Sequence, residues 1–168
     1  MSKAITDSDN VARTIVTRSD SSAGRDLDAT ASVLSEWLPG QIPDASRAEV
    51  VEMSRPSASG GSSETYFLKA DVTSAGETRR EKLVLRVKPR EFTMFLRENF
   101  DEQYRLLTHL RAETDVPVPA IPFYEPSPDV LGDPFWLMEW VYGEVPPDNP
   151  PYHVEGYVAN ASLDQRRS

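Results

Sequence analysis

The chain contains no cysteine among its 168 residues, which excludes a disulfide framework and any thiolate metal site. It has no apolar run of transmembrane length, and its opening stretch, MSKAITDSDN, lacks the apolar centre of a secretory signal. Histidine is scarce: His109 falls in a helical pattern and His153 in a connector, neither beside a nucleophile with a third partner. No His, Asp and Glu spacing suggests a metal cage. Basic residues are outnumbered, and the formal net charge is −9. An acidic surface repels phosphate backbones and anionic headgroups, so neither nucleic acid nor a membrane is expected as a partner. A local pocket for an anionic ligand is compatible with that balance. These absences leave a soluble cytoplasmic protein as the expectation.

Apolar residues are also sparse, at 39% of the chain with a mean hydropathy of −0.48. That composition predicts one core with polar ends. Residues 1–25, rich in Ser, Asp and Thr, are expected to be a disordered tail. Asp26 or Asp28 can cap a helix in which Leu27, Ala31, Leu34 and Leu38 recur on one face with Trp37 beside them; Pro39-Gly40 ends it. Strands are expected at 48–53, 65–72 and 81–87, with TSAGET (73–78) as a turn. Short connections make an antiparallel meander the simplest topology. A helix is predicted over 91–113, its apolar face formed by Phe100, Gln103, Tyr104, Leu107 and Leu110, with Leu106 at the edge. Prolines 117, 119 and 122 force an extended segment. Two further strands are expected near 121–125 and 135–142, followed by the proline-rich stretch 143–152. Ser162 and Gln165 have the spacing of a capping box.

The stretch RPSASGGSSETYFLKADV (55–72) sets small, flexible residues directly before a strand. Gly60 and Gly61 have no Cβ, so their backbone N–H groups can approach phosphate oxygens closely. Ser59, Ser62, Ser63 and Thr65 can add hydroxyl donors. On strand 81–87, Leu83, Leu85 and Val87 take one face while Val84 and Arg86 take the other. If Arg86 faces the loop, it supplies positive charge to a polyphosphate, and Val84 can pack on a flat base. The plainer alternative is a linker beside an arginine on a wet face.

In order, SGGSSETYFL (59–68), KLVLRVKP (82–89), EQYRLLTHL (102–110), TDVPVPAI (114–121) and VLGDPFWLMEWVYGEVPPDNPPY (130–152) resemble the aminoglycoside phosphotransferase-like family. Within it they resemble the bacterial branch associated with acyl-CoA dehydrogenases. The likeness covers about residues 28–160. It implies the N-terminal lobe of a protein-kinase-like fold: an α+β domain with about five antiparallel strands, one packed helix and an N-terminal helix outside them. Residues 26–142 would be that lobe, and 143–168 the connector and start of a further lobe. Ser59 to Thr65 would cover the ATP phosphates, with Arg86 where such enzymes usually carry a lysine. Gln103 stands where the helix glutamate is usual, so an Arg86–Gln103 contact would be a hydrogen bond rather than an ion pair. Glu139, Trp140 and Val141 match the segment that holds adenine through its backbone. The implied partners are ATP, Mg²⁺ and a small hydroxyl-bearing substrate.

The family's catalytic His-Gly-Asp loop is not in this sequence, so no catalytic residue and no metal ligand is assigned. The expectation is therefore the ATP-binding lobe of a phosphotransferase, truncated and inactive alone. A noncatalytic interaction module and a nonfunctional split-gene remnant are the rivals. A lone lobe should also expose apolar side chains around Phe135, Leu137, Trp140 and Tyr142.

Overall fold

The computed structural model describes residues 25–56, 64–89, 99–143 and 150–166. The first helix, α1 (Leu27–Trp37), begins where Asp26 accepts hydrogen bonds from the backbone N–H groups of Asp28 and Ala29. That cap satisfies donors the helix itself leaves open. A short 3₁₀ turn (Leu38–Gln41) follows, carrying Pro39 in its first turn. Then come strands β1 (Ala45–Ser54), β2 (Glu64–Ser74) and β3 (Glu77–Val87), helix α2 (Phe100–Glu113), strands β4 (Phe123–Glu125) and β5 (Phe135–Glu139), and one further helical turn, α3 (Tyr157–Asn160). All five strands form one sheet in the order β1-β2-β3-β5-β4, every neighbouring pair antiparallel. The α+β class and the five-strand antiparallel sheet expected from the sequence are what the chain forms.

The turn expected at 73–78 is shorter than its composition suggested. Ser74 pairs with Glu77, leaving a two-residue loop in which Ala75 (φ 50°) and Gly76 (φ 83°) both adopt positive φ. This loop chirality matches the right-handed strand twist, and it lets both strands run on to the tip. It also fixes the register: Phe67 lies opposite Val84, and Thr65 opposite Arg86. β1 likewise starts earlier than 48. It carries a bulge between Val50 and Glu52 that leaves Val51 outward and 43% exposed. The Val50 N–H donates instead to Ser35 Oγ on α1, at 2.9 Å.

Alternation sorts the sheet into two faces. Toward α1 point Tyr66, Leu68, Ala70 and Val72 of β2, Leu83, Leu85 and Val87 of β3, and Phe135 and Leu137 of β5. Leu34 and Leu38 close this core and are fully buried. The N-terminal helix, outside the sheet as expected, packs into this core. This corrects the expectation for Phe135 and Leu137: both are 0% exposed. The Trp37 ring packs edge-on against Phe135 at 5.0 Å and covers that part of the sheet. Trp140 is half-buried, and only Tyr142, at 67%, is as exposed as expected.

The second helix packs on the opposite face. Phe100 stacks on Trp136 at 4.0 Å, and Tyr104 stacks on Tyr124 at 4.0 Å. Leu106 lies at the solvent edge of α2 as its position predicted, 56% exposed. The Ser162 box also forms: the Ser162 N–H donates to Gln165 Oε1 and the Gln165 N–H to Ser162 Oγ. It closes a single turn, completed by Arg166 N–H to the Ser162 carbonyl.

Candidate nucleotide site

The face opposite α1 carries the residues that the sequence singled out. β2 contributes Thr65 and Phe67, β3 contributes Val84 and Arg86, and β5 contributes Trp136 and Met138, joined in register across three strands. Helix α2 covers the Trp136 and Tyr124 end of this face. Ser59, Gly60, Gly61, Ser62 and Ser63 lie outside the described residues. The segment they belong to enters the sheet at Glu64, one residue before Thr65 and hence beside Arg86.

Arg86 is half-buried, with its guanidinium carbon 5.6 Å from the centre of the Trp136 ring. Burial holds its pKa below the usual arginine value. An arginine so placed is still a cation, and the aromatic face beneath it is an electrostatically favourable neighbour. Val84 is 5% exposed but belongs to this face, not to the α1 core. Trp136 is fully buried, and its indole N–H has no acceptor among the described residues. Val84 and Arg86 thus share one face of β3, as alternation predicted, and the hairpin sets Thr65 directly across from Arg86.

Gln103 lies on the inner face of α2, half-buried, as its spacing predicted. Its side-chain nitrogen donates to Asn99 Oδ1 at 2.6 Å, one turn back. Glu139 ends β5. Its N–H donates to the Ala120 carbonyl at 2.8 Å, and its carboxylate accepts weakly from the Ala120 N–H at 3.4 Å. Both contacts fix it to the extended proline segment. The Trp140 N–H donates to the Lys82 carbonyl at 3.3 Å, and Val141 beyond it is 62% exposed. The backbone of this segment is thus anchored at Glu139 and Trp140, with Val141 exposed beyond them.

Phe67, Tyr142 and Lys82 were not assigned to this face from the sequence. Phe67 stacks with Trp140, ring centres 4.6 Å apart at an interplanar angle of 25°. Tyr142 extends the stack, 5.7 Å from Trp140, and Lys82 Nζ both donates to the Tyr142 hydroxyl at 2.7 Å and lies 5.1 Å from its ring centre. Phe67 could have been found once the hairpin register was known, because that register sets it opposite Val84. Cation pairs continue along the face: Lys69 with Glu52, and Arg80 with Asp71 through two hydrogen bonds of 2.7 Å. The hydrogen bonds from Arg80 hold the Asp71 carboxyl below its usual range.

The base of β2 is clamped from the other side. Arg25 Nε donates to Glu64 Oε2 at 2.9 Å and Nη1 to the Leu131 carbonyl at 2.6 Å, while Nη2 pairs with Asp133. Tyr66 donates to the same Glu64 carboxylate at 3.1 Å. Burial, reinforced by that carboxylate, pushes the Tyr66 hydroxyl pKa up. The residue at which the Gly/Ser segment rejoins the sheet is thereby tied to the start of α1 and to the turn before β5.

The chain is similar to known proteins in two respects. A crystal structure from Ralstonia eutropha, provisionally assigned as an aminoglycoside phosphotransferase, is 25% identical over 68% of this chain, with a TM-score of 0.45. The chain spans 28% of that protein's length. The model of the phosphotransferase enzyme family matches residues 54–161, from the end of β1 to beyond α3. That match takes in most of the sheet, all of α2 and every candidate site residue, and so the chain belongs to the phosphotransferase enzyme family.

Proposed function

We propose that this chain is the ATP-binding lobe of a phosphotransferase that moves the γ-phosphoryl group of ATP to a hydroxyl of a small molecule. Residues 26–142 act as the lobe and 143–168 as its connector. The observation that carries the reading is the position of Arg86: half-buried, beside Val84, and opposite Thr65 on the strand that the Gly/Ser segment enters. Backbone N–H groups of Gly60 and Gly61 and the hydroxyls of Ser59, Ser62, Ser63 and Thr65 donate to the phosphate oxygens. The Arg86 guanidinium neutralises the same group with a charge already partly stripped of water, which strengthens its attraction for an anion. Val84 and Phe67 line the apolar surface assigned to the base, and Val141, exposed beyond Trp140, offers its backbone as a hydrogen-bonding edge. Gln103 steadies the α2 end through Asn99.

ATP would enter as its Mg²⁺ complex, the metal supplying charge neutralisation at the phosphates. Among the described residues no group of three His, Asp or Glu side chains is placed to hold a metal, so no step is assigned to one. Nor is a residue of this chain assigned the task of orienting the acceptor hydroxyl. The chain by itself should bind nucleotide without turning it over. The acceptor is a small alcohol of unspecified class, and the protein acts in the cytoplasm.

Calorimetric titration of the chain with ATP and Mg²⁺ tests the reading. Arg86→Ala and Gly60→Val should each weaken binding by about tenfold or more, the loss expected for a charge-assisted hydrogen bond or an obstructed backbone approach. Unchanged affinity in a folded Arg86→Ala variant would overturn it and favour a docking module.

A further inference from the structure

Trp140 presents a conflict that the proposed function leaves open. Its backbone belongs to the segment assigned to the base, yet its ring lies flat on Phe67. Phe67 is the cross-strand neighbour of Val84, so the indole covers part of the apolar surface on which a base would lie. Each stacked layer of rings occupies about 3.4 Å, the base spacing along a DNA strand. A base inserted between Phe67 and Trp140 would therefore need their rings about 7 Å apart. At 4.6 Å and 25° the pair is already closed, and nothing planar fits between.

We propose that the Trp140 indole is a built-in occupant of the Phe67 stacking surface, and that a purine base binds by displacing it. The inference rests on the nucleotide reading given above. The local structure permits the exchange. The Trp140 N–H is held by the Lys82 carbonyl, so the backbone can stay in place while the side chain rotates. Val141, Tyr142 and Gly143 beyond it are exposed, and β5 ends at Glu139, so among the described residues no strand hems the ring in. Tyr142, pinned by Lys82, stacks on Trp140 and helps to hold the closed arrangement. The binding-competent state is the fraction of molecules with the ring swung out, and the apparent dissociation constant is raised by the inverse of that fraction. An aromatic stack of ordinary strength would raise it about two- to tenfold.

The test is titration of the wild-type chain and Trp140→Ala with ATP and, separately, with adenosine, while ¹⁹F spectra are recorded on 5-fluorotryptophan-labelled wild type. Trp140→Ala should bind both ligands about two- to tenfold more tightly, by the same factor, because the competition is at the base and not at the phosphates. The wild-type Trp140 fluorine signal should shift, as ligand saturates, toward its position in Phe67→Ala. Equal or weaker affinity in Trp140→Ala, or a Trp140 signal that stays put at saturation, would overturn the inference and leave the nucleotide reading standing. Failure of both chains to bind either ligand would overturn the nucleotide reading and the inference with it.

Discussion

Tyr124 and Arg25 show how single side chains hold the two faces of the sheet. Tyr124 donates its hydroxyl to Asp101 at the start of α2, and its pKa is pushed up to about 12, first by burial and then by that carboxylate. A raised tyrosine pKa means that the neutral form is favoured in the folded state. Its stabilisation is complete below the unfolded value of about 10 and is lost as the pH rises toward 12. Tyr124→Phe should therefore be less stable than wild type by about 1–2 kcal/mol at pH 7. The gap should close between about pH 10 and about pH 12, as followed by urea unfolding at each pH. On the other face, Arg25→Gln removes one partner from two part-buried carboxylates, Glu64 and Asp133. A loss of about 2 kcal/mol is expected, because two part-buried carboxylates lose a charge-assisted hydrogen bond each. Chemical denaturation would measure it, and a loss below half that would mean water already shares the site.

At the level of elements, the β2–β3 hairpin sets the geometry of the candidate site, because its two-residue loop decides which side chains face one another. Ala75 holds φ 50° there without the freedom of glycine. Ala75→Asn, which tolerates that conformation better, should raise stability by about 0.5–1 kcal/mol and leave nucleotide affinity unchanged. A fall in melting temperature would show that the loop is not held in this conformation. The sequence revealed strands at 65–72 and 81–87, and alternation along the second placed Leu83, Leu85 and Val87 apart from Val84 and Arg86. It could not reveal their register. TSAGET is uniformly turn-like, and only pairing shows that Thr73, Ser74, Glu77 and Thr78 belong to strands. The early start of β1 was hidden for a related reason: Ala45, Ser46 and Arg47 lie on a mostly exposed edge strand, where no apolar alternation marks them. In α2, by contrast, Phe100, Gln103, Tyr104, Leu107 and Leu110 were legible as one face because helical spacing needs no knowledge of a partner.

Across the whole molecule, one sheet separates two tasks. The α1 face carries the apolar core, and the opposite face gathers Arg86, Val84, Phe67 and the aromatic stack. The error over Phe135 and Leu137 came from this scale. Both were correctly read as strand residues, but which layer covers them depends on α1, distant in the chain, packing back over β5, as Trp37 does. The separation predicts that the faces respond independently. Leu34→Ala, in the centre of the core, should cost about 2–5 kcal/mol of stability and leave the ATP dissociation constant of the folded protein unchanged. A weakened affinity at temperatures where the variant remains folded would show that the faces are coupled. The most direct test of the central claim is paramagnetic broadening of backbone amide signals by Mn²⁺–ATP, corrected for Mn²⁺ alone. The account predicts broadening at Thr65, Val84 and Arg86, with Leu34, Leu38 and Val72 spared. Broadening centred on the α1 face, or none beyond that of the metal alone, would contradict it.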